Sequence, residues 1–171
     1  MNASNGCKQC PLQRDPYSGW GRLDLARAIA SLEGVLPSPD RLEPNDDAGK
    51  NAMRLSRKVT SVKATLDFWD DQNDVYRIRL QKGQRLYASL QGPDGSDPIL
   101  AVWRPRTRSI DDLRHVFRRA KVSGRAGPSD FIGYRARKEG WHYLQVKLPT
   151  AGAGAYRLAI VKVGSRRVAR R

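Results

Sequence analysis

The spacing of apolar residues changes once along the chain, from a helical period to the alternation typical of strands. Leu25, Ile29 and Leu32 lie three to four positions apart, which predicts a short amphipathic helix that ends at Gly34. Two prolines then fall within residues 35–41, and such a segment favours an extended linker over a continued helix. We therefore place a domain boundary in this linker.

Beyond the linker, apolar residues alternate with polar ones. Tyr76, Ile78 and Leu80, for example, alternate with Arg77 and Arg79, which predicts one buried and one solvated face. Turn-forming residues separate the runs, so seven strands are predicted, at 62–66, 75–80, 85–90, 99–103, 131–136, 141–148 and 156–163. The predicted fold class is all-β: an antiparallel, jelly-roll-like β-sandwich of seven to eight strands over residues 42–164.

Residues 109–120 interrupt the strand pattern with one short inserted helix. Ser109 is the expected N-cap, acidic residues fill the first turn, and an apolar stripe follows at helical spacing. The stripe consists of Ile110, Leu113, Phe117 and Ala120. We interpret this segment as a surface helix that covers one end of the sandwich. The alternative is a basic recognition helix that uses Arg114, Arg118 and Arg119.

The charge balance is strongly basic. The 171 residues carry a formal net charge of +15, which invites a nucleic-acid or anionic-surface binding module built on residues 104–125 and an Arg-rich tail at 165–171. The arginines are nevertheless dispersed along the predicted strands, as on an ordinary solvated surface, so a nucleic-acid partner is kept as the alternative. No apolar run reaches the roughly 20 residues of a membrane span, and the first residues lack a signal-peptide pattern.

Residue patterns for catalysis are missing from the sequence. The possible bases are His115 and His142, and neither Gly-Thr-Ser-x-Ala nor Gly-x-Ser-x-Gly occurs. We expect a half-exposed structural role for His142 and no enzymatic activity. Cys7 and Cys10 are interpreted as a small loop disulfide or two idle thiols, because no second pair lies at zinc spacing.

Acidic residues are concentrated in one window of this basic chain. Eight of the 17 Asp and Glu residues fall between positions 40 and 74. Crowded carboxylates repel one another unless solvent, donors or a cation neutralises them. The window is therefore either a solvated loop or an oxygen-rich cation site.

Two segments resemble known families. Residues 15–28, which include Gly19-Trp20-Gly21-Arg22-Leu23-Asp24, resemble the end of a subtilisin-like serine protease catalytic domain. Residues 42–163 resemble the bacterial pre-peptidase C-terminal domain, through Glu43-Pro44-Asn45-Asp46, Asp74-Val75-Tyr76-Arg77-Ile78 and Gly140-Trp141-His142-Tyr143-Leu144. The resemblance implies a remnant of the protease over 1–34, a linker over 35–41, the accessory β-sandwich over 42–164 and a basic tail over 165–171.

The resemblance also implies a calcium site. Collagenase members of the family bind Ca²⁺ through a Glu-x-Asn-Asp run and an Asp-x-x-Asp pair, and the matching residues here are Glu43, Asn45, Asp46, Asp71 and Asp74. An acidic residue that is often present two places before the Glu is replaced by Arg41. The alternative is that Asn45 and Asp46 close a turn while Asp74 caps a strand through backbone N–H groups.

The function that follows is that of a non-catalytic C-terminal accessory domain in a secreted subtilisin-like protease. Such a module aids folding, secretion or substrate attachment. Its expected partners are the parent catalytic domain and a protein or polysaccharide substrate, and we expect a monomer. Aromatic residues could supply an adhesion platform, although core packing is the commoner fate of strand aromatics.

Overall fold

The computed structural model of the chain describes residues 40–56, 60–68 and 71–164. The helix and protease remnant expected over 1–34, residues 35–39 of the linker, both cysteines and the basic tail at 165–171 lie outside the described residues.

The described residues form two packed β-sheets, which confirms the predicted β-sandwich. Their nine strands are β1 Met53–Arg54, β2 Ser61–Asp67, β3 Asn73–Leu80, β4 Arg85–Gln91, β5 Ile99–Trp103, β6 Arg119–Val122, β7 Ser129–Arg135, β8 Gly140–Lys147 and β9 Ala153–Val163. A five-stranded sheet has the order β1-β3-β8-β5-β6, and a four-stranded sheet has the order β2-β9-β4-β7. All seven predicted strands are present: the strand at 99–103 has the predicted bounds, and the bounds of the others shift by at most three residues.

Strand pairing is antiparallel except at one edge. Within the five-stranded sheet, β8 lies between β3 and β5, with Tyr76 opposite Leu144 and Leu144 opposite Val102. The two-residue strand β1 pairs with β3 in parallel, so the purely antiparallel expectation is wrong at this edge. The parallel direction follows from the connection, because the chain leaves β1 to build β2 in the opposite sheet before it returns as β3.

The main core lies between the sheets. It is built from alternate residues of every long strand, and its fully buried members include Leu66, Ile78, Leu86, Leu144 and Leu158. The period-2 pattern of the sequence therefore places one face of each strand in this layer.

The five-stranded sheet is also covered on its outer face. Val75, Trp103 and Tyr143 form a second buried cluster with Ala48, Ala52 and Ile110, which come from the loops before β1 and after β5. One carboxylate ties these two loops together, because Asp47 Oδ1 accepts hydrogen bonds from the backbone N–H of Ala48 at 2.6 Å and of Ile110 at 2.7 Å. The loop that carries Glu43–Asp47 is thus anchored on the sheet.

The inserted helix is shorter than predicted and of a different type. A 3₁₀ helix spans Leu113–Arg118, and its N-cap is Asp112, whose side chain accepts a hydrogen bond from Arg114 N, rather than Ser109. Residues 119–122 pair with β5 as β6 and must be extended, which ends the helix at Arg118. The single apolar stripe is also wrong: Ile110 is buried, whereas Phe117 is 64% exposed. Ile110 precedes the helix and Ala120 lies in β6, so the predicted stripe is divided among a loop, the 3₁₀ helix and a strand and cannot form one face.

Another expectation is corrected at His142. Its side chain is 1% exposed rather than half-exposed, and its ring packs on Tyr134 with 5.5 Å between ring centroids. Burial lowers the pKa of His142, which disfavours the protonated imidazole. Within the described ranges, no helix is long and apolar enough to cross a membrane.

Candidate metal centre

The loop that carries the Glu-x-Asn-Asp run is held against the start of β3. The backbone N–H of Val75 donates to the carbonyl of Asn45 at 2.8 Å. Within the run, the backbone N–H of Asn45 donates to Glu43 Oε2 at 2.9 Å, and the Glu43–Pro44 peptide bond is cis. These contacts direct Glu43, Asn45 and Asp46 towards the end of the sandwich where β2 turns into β3.

The β2–β3 connection supplies the second part of the site. Asp67, the last residue of β2, exchanges two backbone hydrogen bonds with Asp71, at 2.9 and 3.0 Å. This bridge fixes Asp71 three residues before Asp74, the second residue of β3. The two halves of the predicted ligand set therefore meet at one end of the fold.

The carboxylates of the site lie close together. One oxygen from each of Glu43, Asp46 and Asp71 lies within 4.8 Å of the other two. Four buried side-chain oxygens have no hydrogen-bond partner among the described residues: Glu43 Oε1, Asn45 Oδ1, Asp71 Oδ1 and Asp74 Oδ1. Buried acceptors are normally satisfied, so a cluster of unsatisfied oxygens indicates a ligand that accepts their lone pairs.

The raised pKa values of the carboxylates also indicate a site that a positive charge would stabilise. Burial raises the pKa of Asp71 to about 8, and the neighbouring carboxylates of Asp74, Glu43 and Asp46 add to the effect. Burial also raises the pKa of Asp74 to about 7, although the hydroxyl of Tyr156 lowers it by hydrogen bonding. The pKa values of Glu43 and Asp46 are raised in the same way, by burial first and by nearby acids second. A bound cation would stabilise the ionised carboxylates and so oppose both the burial and the repulsion that raise these pKa values.

Asp74 faces two environments. Its Oδ2 accepts a hydrogen bond from the hydroxyl of Tyr156, and the hydroxyl of Tyr76 lies within hydrogen-bond distance of both Asp74 Oδ2, at 3.3 Å, and the Tyr156 hydroxyl. The alternative expectation, in which Asp74 caps a strand through backbone N–H groups, is not what these contacts show. Its Oδ1 has no hydrogen-bond partner among the described residues, although Asp74 lies outside the group of three carboxylates within 4.8 Å of one another.

Two other acids of the window have structural roles. The oxygens of Asp40 accept backbone N–H groups of Leu42 and Thr65, both at 2.7 Å, which joins the loop to β2. Asp47 ties the covering loops together, as described above. Both carboxylates therefore already have backbone donors, unlike Glu43 Oε1, Asp71 Oδ1 and Asp74 Oδ1.

The tyrosines were missed by sequence reasoning. Tyr76 lies two residues after Asp74 on the same strand face, so its proximity could have been read from the strand period. Tyr156 lies on β9 in the other sheet, and no local pattern in the sequence signals its contact with Asp74.

The donor set fits a hard cation. Carboxylate and amide oxygens from flexible loops are the ligands that Ca²⁺ prefers, and it takes six to eight of them. Glu43, Asn45, Asp46, Asp71 and Asp74 supply only oxygen, with neither sulfur nor imidazole in the cluster. The residues present are therefore suited to calcium rather than to zinc or copper.

The described fold is similar to two solved structures. One is the pre-peptidase C-terminal domain of a collagenase from Bacillus anthracis, at 19% sequence identity and a TM-score of 0.50, with 64% of this chain and 93% of that domain covered. The other is PliG of Aeromonas hydrophila, a periplasmic inhibitor of g-type lysozyme, at 13% identity and a TM-score of 0.50, with 65% of this chain and 95% of that protein covered. No protein-family profile matches the sequence, and a search of curated proteins finds no relative. At these identities the likeness shows the fold alone, and it confirms a β-sandwich like that of the pre-peptidase domain.

Proposed function

We propose that residues 42–164 are a calcium-stabilised, non-catalytic accessory module of a secreted protease. The fold likeness to a collagenase pre-peptidase domain supports the accessory role. The sequence resemblance of residues 15–28 to a subtilisin-like catalytic domain supports a serine protease as the parent. In that protein the module would aid folding, secretion or attachment to a protein or polysaccharide substrate. Export is favoured because a periplasmic protein shares the fold.

One observation carries the calcium proposal. Four buried oxygens from two separate segments lack hydrogen-bond partners among the described residues, and they belong to Glu43, Asn45, Asp71 and Asp74. An isolated buried carboxylate is expensive, so a fold that collects several of them must either protonate some of them or bind a counter-charge. Asp46 adds a carboxylate within 4.8 Å of Glu43 and Asp71. These five residues would hold the ion.

The proposed role of the ion is structural. It would join the loop before β1 to the β2–β3 turn, and so couple the two sheets at one end of the sandwich. A ligand at 100 times its dissociation constant adds about 2.7 kcal/mol to the stability of the folded state. That is a substantial part of the 5 to 15 kcal/mol typical of a domain.

Isothermal titration calorimetry of protein freed of metal by a chelator tests the proposal. We expect one Ca²⁺ per chain and much weaker binding of Mg²⁺, which demands stricter octahedral geometry and gives up its water reluctantly. Glu43→Gln should abolish the calcium heat. Glu139→Gln is the matched control, because Glu139 is exposed and lies in the turn before β8. A titration that is flat for the unaltered protein, or one that Glu43→Gln leaves unchanged, would remove calcium from the proposed function.

A further inference from the structure

A basic cleft lies between the free edges of the two sheets, where β6 ends one sheet and β7 ends the other. It consists of two adjoining cavities of about 600 and 510 Å³, which share Arg104, Tyr134 and Arg137 in their walls. The cleft and the candidate metal centre have no lining residue in common.

The positive charge of the cleft is not balanced by the fold. Eight of its lining residues are Lys or Arg, and its one acidic residue, Glu139, pairs at 4.0 Å with Arg79, which does not line it. Among the described residues, no ion pair joins a basic side chain of the cleft to a carboxylate. Several of these side chains donate to backbone carbonyls instead: Arg104 to Phe117 at 2.6 Å and Arg118 to Pro105 at 3.2 Å. The cleft therefore has the charge to attract an anionic ligand.

Among the described residues, one wall of the cleft is a strand edge with no paired neighbour. Ala136 N donates to the carbonyl of Gln84, and Gly92 N donates to that of Pro128, so the backbone groups of even-numbered β7 residues face β4. In an antiparallel strand the next residues point the other way, which directs the backbone groups of Gly133 and Arg135 into the cleft. The carbonyl of Gly133 accepts a hydrogen bond from the exposed Lys121 Nζ at 2.9 Å, as this direction requires. Because the Lys121 side chain is flexible, its ammonium group can move away, and the carbonyl of Gly133 can then accept a hydrogen bond from a peptide N–H.

The cleft is poorly suited to nucleic acid. Single-stranded nucleic acid is held by phosphate contacts together with bases stacked on exposed aromatic rings. The aromatic rings that line the cleft, Tyr134 and His142, pack on each other with 5.5 Å between centroids, and His142 is 1% exposed. An open strand edge, in contrast, offers donors and acceptors that match a polypeptide backbone.

We propose that this cleft binds an extended, acidic peptide segment of a partner protein, which adds as a strand to the free edge of β7. Alternate side chains of an extended peptide point to opposite sides, so acids at every second position would all face one wall. Arginine predominates in the cleft, and its planar guanidinium binds a carboxylate through two parallel hydrogen bonds. The backbone of β7 would thus supply affinity and the arginines would supply selectivity for acid.

Fluorescence anisotropy with three labelled hexapeptides tests this proposal on the full chain. The first probe alternates glutamate and valine, the second alternates lysine and valine, and the third is the first with every backbone nitrogen methylated, so that neither edge can donate. At physiological salt we expect binding of the first probe only, since N-methylation removes strand addition without changing charge. Arg137→Glu should weaken that binding by at least about fivefold, a loss of roughly 1 kcal/mol. Arg157→Glu is the matched control, because the Arg157 side chain is exposed on β9 and lies outside the cleft. It should change binding less than twofold.

The outcomes separate the proposal from its rivals. Failure of the first probe to bind, or equal binding of the methylated probe, overturns strand addition at β7. Equal loss in both arginine variants shows non-specific attraction and also overturns the proposal. A single-stranded oligonucleotide with the same charge as the first probe serves as the competitor. If the oligonucleotide binds more tightly than the peptide, and Arg137→Glu but not Arg157→Glu weakens its binding, the cleft is a nucleic-acid site instead.

Discussion

Asp71→Asn should have opposite effects on stability in the presence and absence of calcium. The substitution keeps the shape of the side chain and removes its charge. Asp71 is half-buried beside Asp74, Glu43 and Asp46, and these surroundings raise its pKa to about 8. In chelator at pH 8, the variant should melt at a higher temperature than the unaltered protein, because it relieves the repulsion among the remaining carboxylates.

With calcium the order should reverse. Saturation at 100 times the dissociation constant adds about 2.7 kcal/mol to the unaltered protein. For a domain of this size, 1 kcal/mol corresponds to roughly 3 to 5 °C in Tm, so the calcium shift should be about 8 to 14 °C. Asp71→Asn removes one of the charged ligands and should lose most of this shift.

Differential scanning fluorimetry at pH 8, in excess chelator and in excess Ca²⁺, measures both effects. Asp94→Asn provides the control, because Asp94 is an exposed turn residue far along the chain from the site. Its Tm should differ little from that of the unaltered protein in either buffer. If Asp71→Asn lowers Tm by the same amount in both buffers, the residue supports the β2–β3 turn and does not hold a cation, and the reasoning is refuted.

Two further predictions concern the same end of the fold. The fold raises the pKa of Asp71 to about 8 and that of Asp74 to about 7. Between about pH 4 and pH 8 the metal-free folded protein therefore binds more protons than the unfolded chain. Its free energy of unfolding should fall as pH rises through this range. Melting curves in chelator should show this fall. The calcium-induced rise in Tm should become larger over the same pH range, and a rise that becomes smaller with increasing pH would contradict the prediction. Tyr156→Phe should lower the free energy of unfolding in urea by about 1 to 2 kcal/mol, because it removes a buried donor to Asp74. Tyr87→Phe is the control, because the Tyr87 ring is half-exposed, and it should lower the free energy of unfolding much less. Equal losses in the two variants would show that the hydroxyl of Tyr156 does not stabilise the fold through Asp74.

The sandwich could be predicted because its long strands carry their own signal. Residues 76–80 alternate cleanly, and every apolar position in that run is buried in the structure. The short strands carried no such signal: β1 has two residues, and β6 begins within the segment whose apolar spacing suggested a helix. Pairing with β5 overrides the local helical pattern at residues 119–122, which only the assembled sheet determines.

The candidate site was accessible to sequence reasoning only in part. The two acidic segments could be matched to a family pattern, because each is continuous along the chain. The sequence does not show which acids of these segments are candidate ligands and which stabilise the fold. Asp47, for example, has its structural role because its carboxylate accepts a hydrogen bond from the backbone of Ile110, 63 residues away. The basic cleft was also missed, because β6 and β7 lie at the edges of different sheets and meet only through the tertiary fold.

A crystal structure of the protein grown with excess calcium tests the central claim most directly. We predict one ion bound by oxygens of Glu43, Asn45, Asp46, Asp71 and Asp74, at the distances of about 2.3 to 2.6 Å typical of calcium. Anomalous scattering would identify the ion. A structure in which these five side chains point apart into solvent, with no ion between them at saturating calcium, would contradict the account.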